Sequence, residues 1–133
     1  MQVRFVLASD CGDMVTVPPA DKKKVVLHFF SPTCASCRKR LPALADRRDD
    51  ISARGARLVL VAVLSDNEST DQATAALRDW GVPWPFLVDP SGASRSLLGV
   101  GHVPASVIVD GKGKLLWVSP EDAAAEEVLD ALR

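Results

Sequence analysis

Three observations predict an α/β fold for this chain: a central mixed β-sheet flanked by helices on both faces, with an N-terminal β-hairpin. First, Val25 to Phe30 and Arg57 to Leu64 are nearly continuous apolar runs rich in β-branched residues, as expected of strands covered on both sides. Second, helix-forming stretches alternate with the strands in a β-α-β-α-β order, and right-handed crossovers then make the central strands parallel. Third, the turn-rich segments Ser9-Asp10-Cys11-Gly12-Asp13 and Asp110-Gly111-Lys112-Gly113 each join two short strand-forming runs, one hairpin near each end of the chain.

The elements follow in order. Val3 to Ala8 and Met14 to Val17 form the first hairpin. Pro18-Pro19 and Asp21-Lys22-Lys23-Lys24 make a polar connector, read as a solvated turn, into the strand Val25 to Phe30. Ser31-Pro32 stops that strand, because proline lacks an N–H and pushes its neighbour toward extended geometry. Helix-favouring residues then run from Ala35 to about Ala53, with a kink expected at Pro42 and a stop at Gly55. After the strand Arg57 to Leu64, Ser69-Thr70-Asp71-Gln72 matches a capping box opening a helix to about Trp80, ended by Gly81.

Phe86 to Val88 is a short strand, Asp89-Pro90-Ser91-Gly92 a turn, and Ala93 to Leu98 a short helix. Ala105 to Val109 and Lys114 to Val118 are the strands of the second hairpin. Ser119-Pro120-Glu121-Asp122 is expected to start a last helix, with a serine cap, proline at the first helical position and early acid. That helix would turn Val128, Leu129 and Leu132 to the core.

The 133 residues are read as a single domain, 1–133, with no repeat, linker or low-complexity segment. Sixteen basic and seventeen acidic side chains leave a net charge of −1, which gives no argument for nucleic acid or an anionic membrane. No apolar run approaches the roughly 20 residues that span a bilayer. Met1 to Leu7, with one arginine and a short apolar stretch, does not read as a signal peptide.

Three cysteines do not make a disulfide scaffold; the count fits one working pair, Cys34 and Cys37, plus Cys11 at the hairpin turn. Cys11 is read as a free thiol without a role, against a regulatory or intermolecular one. Cys34 falls at the start of a helix, where free N–H groups stabilise a thiolate, and Cys37 lies one turn in on the same side. The dipole is worth up to about 2 kcal/mol in favourable geometry, or a pKa unit or so. Cys34 is therefore expected as the exposed attacking thiol and Cys37 as the shielded resolving thiol, close enough to close a disulfide.

The stretch Phe29-Phe30-Ser31-Pro32-Thr33-Cys34-Ala35-Ser36-Cys37-Arg38-Lys39-Arg40-Leu41-Pro42, with Leu87-Val88-Asp89-Pro90-Ser91-Gly92 and Gly99-Val100-Gly101-His102-Val103-Pro104-Ala105-Ser106-Val107-Ile108-Val109-Asp110-Gly111, resembles the thioredoxin-like superfamily. Within it the likeness is to the TlpA/ResA branch of thiol–disulfide oxidoreductases and the related AhpC/TSA redoxins, over nearly the whole chain. The resemblance implies a thioredoxin-like fold and a cis Val103-Pro104 peptide facing the cysteines, where Val103 and Pro104 would receive an extended substrate segment. It implies a redox-active Cys34–Cys37 disulfide with no other cofactor, protein thiol or disulfide substrates, an unidentified redox partner and a monomer. It leans toward an extracytoplasmic setting.

Several positions depart from the pattern. Thr33 stands where many relatives have tryptophan, and Ala35-Ser36 where proline is frequent. His28 stands where thioredoxins bury an acid, and Arg40 where many TlpA/ResA relatives carry one. His28, with an ordinary pKa near 6.5, either takes over proton transfer to Cys37 or is a hydrogen-bonded core histidine. His102 either tunes Cys34 or is a plain loop residue. Thr33, His28, His102 and Arg40 are thus the candidates for tuning the cysteines, while Arg38-Lys39-Arg40 is read first as a solvated helix face.

Two other readings use the same cysteines. A redoxin-type thiol peroxidase ranks below exchange, because Pro32-Thr33-Cys34 are contiguous rather than spaced as Pro-x-x-x-Thr-x-x-Cys. A zinc or copper module would add His28, His102 or Cys11 to the pair, but no second C-x-x-C or histidine pair stands at metal-finger spacing, and no metal ligand is assigned.

Overall fold

Seven strands form one sheet in a computed structural model that describes residues 2–90, 92–120 and 123–132. In chain order they are β1 (Phe5–Ser9), β2 (Met14–Val17), β3 (Lys24–Phe30), β4 (Ala56–Leu64), β5 (Leu87–Pro90), β6 (Ala105–Val109) and β7 (Leu115–Val118). Their spatial order is β2-β1-β5-β4-β3-β6-β7. The two apolar runs lie at the centre as a parallel pair, with Val25 opposite Arg57 and Phe30 opposite Ala62. β5 joins β4 in parallel, while β6 and β7 add antiparallel strands on the other side of β3. The N-terminal hairpin attaches antiparallel to β5.

The period-two alternation of β3 and β4 divides the core. Val25, Leu27, Phe29 and Val61 face one layer, closed by Val3, Val17, Leu98, Val100 and Val107. Val26, Phe30, Leu60 and Ala62 face the other. That second layer is covered by α1 (Ala35–Ala45), α2 (Arg48–Ala53), α3 (Thr70–Asp79) and α5 (Ala125–Ala131), through Cys37, Leu41, Leu44, Ile51, Ala73, Leu77, Val128 and Leu129. The short α4 (Ala93–Leu97) is the helix on the first side, carrying Leu98 at its end into that core. Helices therefore lie on both faces, unevenly.

Three expectations need correction. The helix expected from Ala35 to about Ala53 is two helices, and the break falls at Asp46-Arg47 rather than Pro42. α1 runs through Pro42, and the chain turns where the Arg47 N–H donates to the Leu44 carbonyl at 3.0 Å. Arg47 makes ion pairs there to Asp50 on α2 and Glu126 on α5.

The last helix begins at Ala125, not at Ser119. Ser119 is buried at the end of β7, where its hydroxyl accepts from the Ser106 N–H at 2.9 Å and its own N–H donates to the Ser106 carbonyl at 2.8 Å. The sheet uses the groups that a cap would have used. Glu121 and Asp122, like Met1, Ser91 and Arg133, lie outside the described residues.

Val3 is not in β1; its N–H donates to the Gly113 carbonyl at 2.6 Å, tying the start of the chain to the β6–β7 turn. The capping box stands as expected: Ser69 Oγ accepts from the Gln72 N–H, and Gln72 Oε1 accepts from the Ser69 N–H.

Candidate active site

The C-terminal end of β3 delivers the chain through Ser31-Pro32-Thr33 to Cys34, which is the N-cap of α1 in extended backbone geometry. A turn closed by the Cys34 N–H and the Ser31 carbonyl, 3.3 Å apart, makes the step from strand to helix. Cys34 Sγ accepts from the Cys37 N–H at 3.1 Å, the place where an N-cap side chain meets the free amides of the first turn. Cys34 and Cys37 are joined in a disulfide with Cα atoms 5.2 Å apart.

The two sulfurs differ in access. Cys34 is partly exposed, whereas Cys37 is 0% exposed and packed with Phe30, Leu41, Leu77 and Phe86. Phe30 sits under the pair, edge-on to Trp80 and Phe86 with ring centroids 6.1 and 5.9 Å away. When the disulfide is opened, the amide donor at Cys34 favours its thiolate. Apolar burial resists ionisation of Cys37.

Val103 packs against the cluster that contains both cysteines, and the Val103-Pro104 peptide is cis with Pro104 buried. A second cis peptide, Val17-Pro18, ends the hairpin away from the sequence motifs. On the other side of Cys34 a groove of about 550 Å³ opens between α1 and α3, walled by Thr33, Arg38, Gln72, Ala76, Asp79 and Trp80. The composition gave no sign of these α3 residues as neighbours of Cys34. The capping box placed the helix, and only the sheet topology brings it alongside α1.

The candidate tuning residues are scattered in kind. His28 is 3% exposed, between Val26 and Phe30 on the helix-covered face, and burial lowers its pKa to about 4. Its Nδ1 is hydrogen-bonded to Ser106 Oγ at 2.8 Å, while Nε2 is buried without a partner among the described residues. Thr33 is exposed and its hydroxyl donates to Glu68 Oε2 at 2.8 Å. Arg40 is half-buried on α1, three residues beyond Cys37. His102 is half-buried beside Val103, and its Nε2 is shielded without a partner among the described residues. Sequence reading missed both Glu68 and Ser106, since each meets its partner across the fold rather than along the chain.

Cys11 is exposed at the first hairpin turn and is not paired. Among the described residues, no three His, Cys, Asp or Glu side chains are grouped as a metal ion requires. No helix among them is long and apolar enough to cross a membrane.

Comparison with known proteins agrees with this geometry. The model of the AhpC/TSA family matches residues 3–118. Thioredoxin-like protein YneN of Bacillus subtilis is 28% identical over 109 residues, covering 82% of this chain and 63% of the relative. Thiol-disulfide oxidoreductase ResA of Bacillus thuringiensis is 24% identical over 113 residues, covering 84% and 63%. The chain thus spans about 63% of the length of these curated relatives.

Among solved structures, the exposed lipoprotein thioredoxin Etrx1 of Streptococcus pneumoniae superposes with a TM-score of 0.77 at 24% identity, covering 98% of both chains. StoA of Bacillus subtilis gives a TM-score of 0.73 at 19% identity, over 100% of this chain and 98% of that one. The fold is thioredoxin-like.

Proposed function

This chain belongs to the AhpC/TSA family, and on that premise we propose that it is a thiol–disulfide oxidoreductase that exchanges the Cys34–Cys37 couple with protein substrates. One observation carries the reading. A partly exposed cysteine caps a helix, receives an amide N–H on its sulfur, and is bonded to a sealed cysteine one turn away.

In the reducing direction the Cys34 thiolate attacks one sulfur of a client disulfide, forming a mixed disulfide and releasing the other client sulfur as thiolate. Cys37 then loses its proton and attacks Cys34 Sγ. The Cys34–Cys37 bond forms, the mixed disulfide breaks, and the second client thiolate leaves. The client gains two electrons and its thiolates take up two protons. The oxidising direction is the reverse, and relative reduction potentials choose between them.

The cis loop at Val103 and Pro104 is the natural seat for the client backbone, because it packs beside the pair. The groove between α1 and α3 receives the flanking client side chains. His28 is read as the candidate for handling the Cys37 proton, and as burial lowers its pKa to about 4 it would act from the neutral form. Arg40 and His102 belong to the surroundings that set the potential. The chain works as one monomeric domain outside the cytoplasm, a setting suggested by the exposed lipoprotein among its structural neighbours; it needs no cofactor besides its disulfide and is recharged by a separate redox partner.

Equilibration with glutathione buffers, followed by acid quench, thiol trapping and mass spectrometry, tests the reading. A single two-electron transition in which Cys34 and Cys37 change together is expected. A pair that stays oxidised or reduced at every poise would overturn it, and peroxide consumption without such a transition would favour the peroxidase reading.

A further inference from the structure

Glu68 stands immediately before the N-cap of α3, and both of its carboxylate oxygens are engaged. Oε1 accepts from the Ser65 N–H at 2.9 Å and from the Ser65 hydroxyl at 3.0 Å. Oε2 accepts from Thr33, the residue directly before Cys34, at 2.8 Å. The β4–α3 loop is thereby tied to the strand-to-helix step that carries the outer sulfur. Bond lengths put Oε2 no more than about 9 Å from the Cys34 Cα.

We propose that Glu68 is a positioning residue of the exchange site: it holds Thr33 beside Cys34 and fixes a negative charge there that opposes ionisation of the Cys34 thiol. The inference rests on the exchange reading above and adds what regulates its nucleophile. Two trends then meet at one sulfur. The helix start and the Cys37 N–H favour the thiolate, and Glu68 restrains it. Partial burial works against ionisation of Glu68, but bonds from the Ser65 N–H and from the Thr33 and Ser65 hydroxyls outweigh it, so the carboxylate is charged at neutral pH.

Among the described residues, the other charged groups that line the groove with Cys34 are Arg38 on α1 and Asp79 on α3; His102 lies on the loop before Val103. Arg38 and Asp79 are opposite in sign, which leaves Glu68 as the charge tethered to the residue next to Cys34. At its distance and at dielectric values between protein surface and water, one charge moves a thiol pKa by about half a unit.

The test is a charge ladder on the reduced protein. Thiolate absorbance is titrated against pH in the wild type, Glu68→Gln and Glu68→Lys, with the rate of reaction with glutathione disulfide measured in parallel. Glu68→Gln keeps hydrogen-bonding capacity without charge and is expected to lower the Cys34 pKa by about half a unit, and Glu68→Lys by about one unit. An ordered shift with charge distinguishes electrostatic control from loosening of the loop, which would move both variants alike. Equal pKa values in all three proteins, or equal shifts in the two variants, would overturn the proposal. If the wild type itself fails to exchange with glutathione disulfide, the exchange reading fails instead.

Discussion

His28 on β3 and Ser106 on β6 face each other across the antiparallel pair, with Nδ1 and Oγ 2.8 Å apart in a layer closed to water. The Ser106 main chain is in turn held from both sides by Ser119. A histidine in this setting is anchored by hydrogen bonding yet has nothing to stabilise a charge, which is why burial lowers its pKa from 6.5 to about 4.

That shift has a sign in stability. Well above about pH 6.5 the imidazole is neutral in both states and its contribution is complete. As pH falls toward about 4, the unfolded chain takes up the proton and the folded one does not, so about 3 kcal/mol is lost. Glu68, held below its ordinary 4.5, acts beneath that window. Urea unfolding between about pH 7 and about pH 4.5 should show the loss, and His28→Gln should flatten it. An unchanged slope in the variant would mean that other groups carry it.

Gly111 approaches the backbone of the lysine turn. A Cβ there would lie 2.1 Å from the Lys22 carbonyl oxygen, and that oxygen belongs to main chain that cannot swing aside. Gly111→Ala should cost about 2 kcal/mol, within the usual range for overpacking. A urea midpoint matching the wild type would show that the connector yields more easily than its geometry suggests.

Ser69→Ala removes the cap of α3, whose Ala73 and Leu77 are buried against the sheet. About 1 kcal/mol of stability should be lost, as is typical for a cap. Because α3 walls the groove beside Cys34, hydrogen exchange of its first-turn amides is the sensitive readout. Protection equal to the wild type would argue that packing alone holds that turn.

The parts of the fold readable in advance were those set by short-range pattern. The continuous apolar runs of β3 and β4, the Ser69–Gln72 capping box and the cysteine spacing each carry their cause within a few residues. What escaped reading was decided across the fold. Ser119 looked like a helix cap until its hydrogen bonds went to Ser106, 13 residues away. Pro42 predicts a kink in one continuous helix, but the helix ends at Ala45 and the chain turns at Asp46-Arg47, where Arg47 pairs with Glu126, 79 residues distant.

The candidate site divides in the same way. Cys34 and Cys37 are one turn apart and legible from spacing, and their unequal exposure follows from α1 laying one side on Phe30. The partners of the candidate tuning residues come from elsewhere in the chain: Ser106 on β6 meets His28, and Glu68 on the β4–α3 loop meets Thr33. Local sequence gives Thr33 no partner, yet it meets Glu68, 35 residues on, because parallel pairing of β3 with β4 brings the two strand ends together.

The most direct test of the account is the fate of a mixed disulfide on the reduced protein. With Cys37→Ser, glutathione disulfide should leave a lasting adduct mapped to Cys34, while in the wild type that adduct should give way to the Cys34–Cys37 bond. Finding the adduct on Cys11 instead, or exchange in Cys34→Ser as fast as in the wild type, would contradict it.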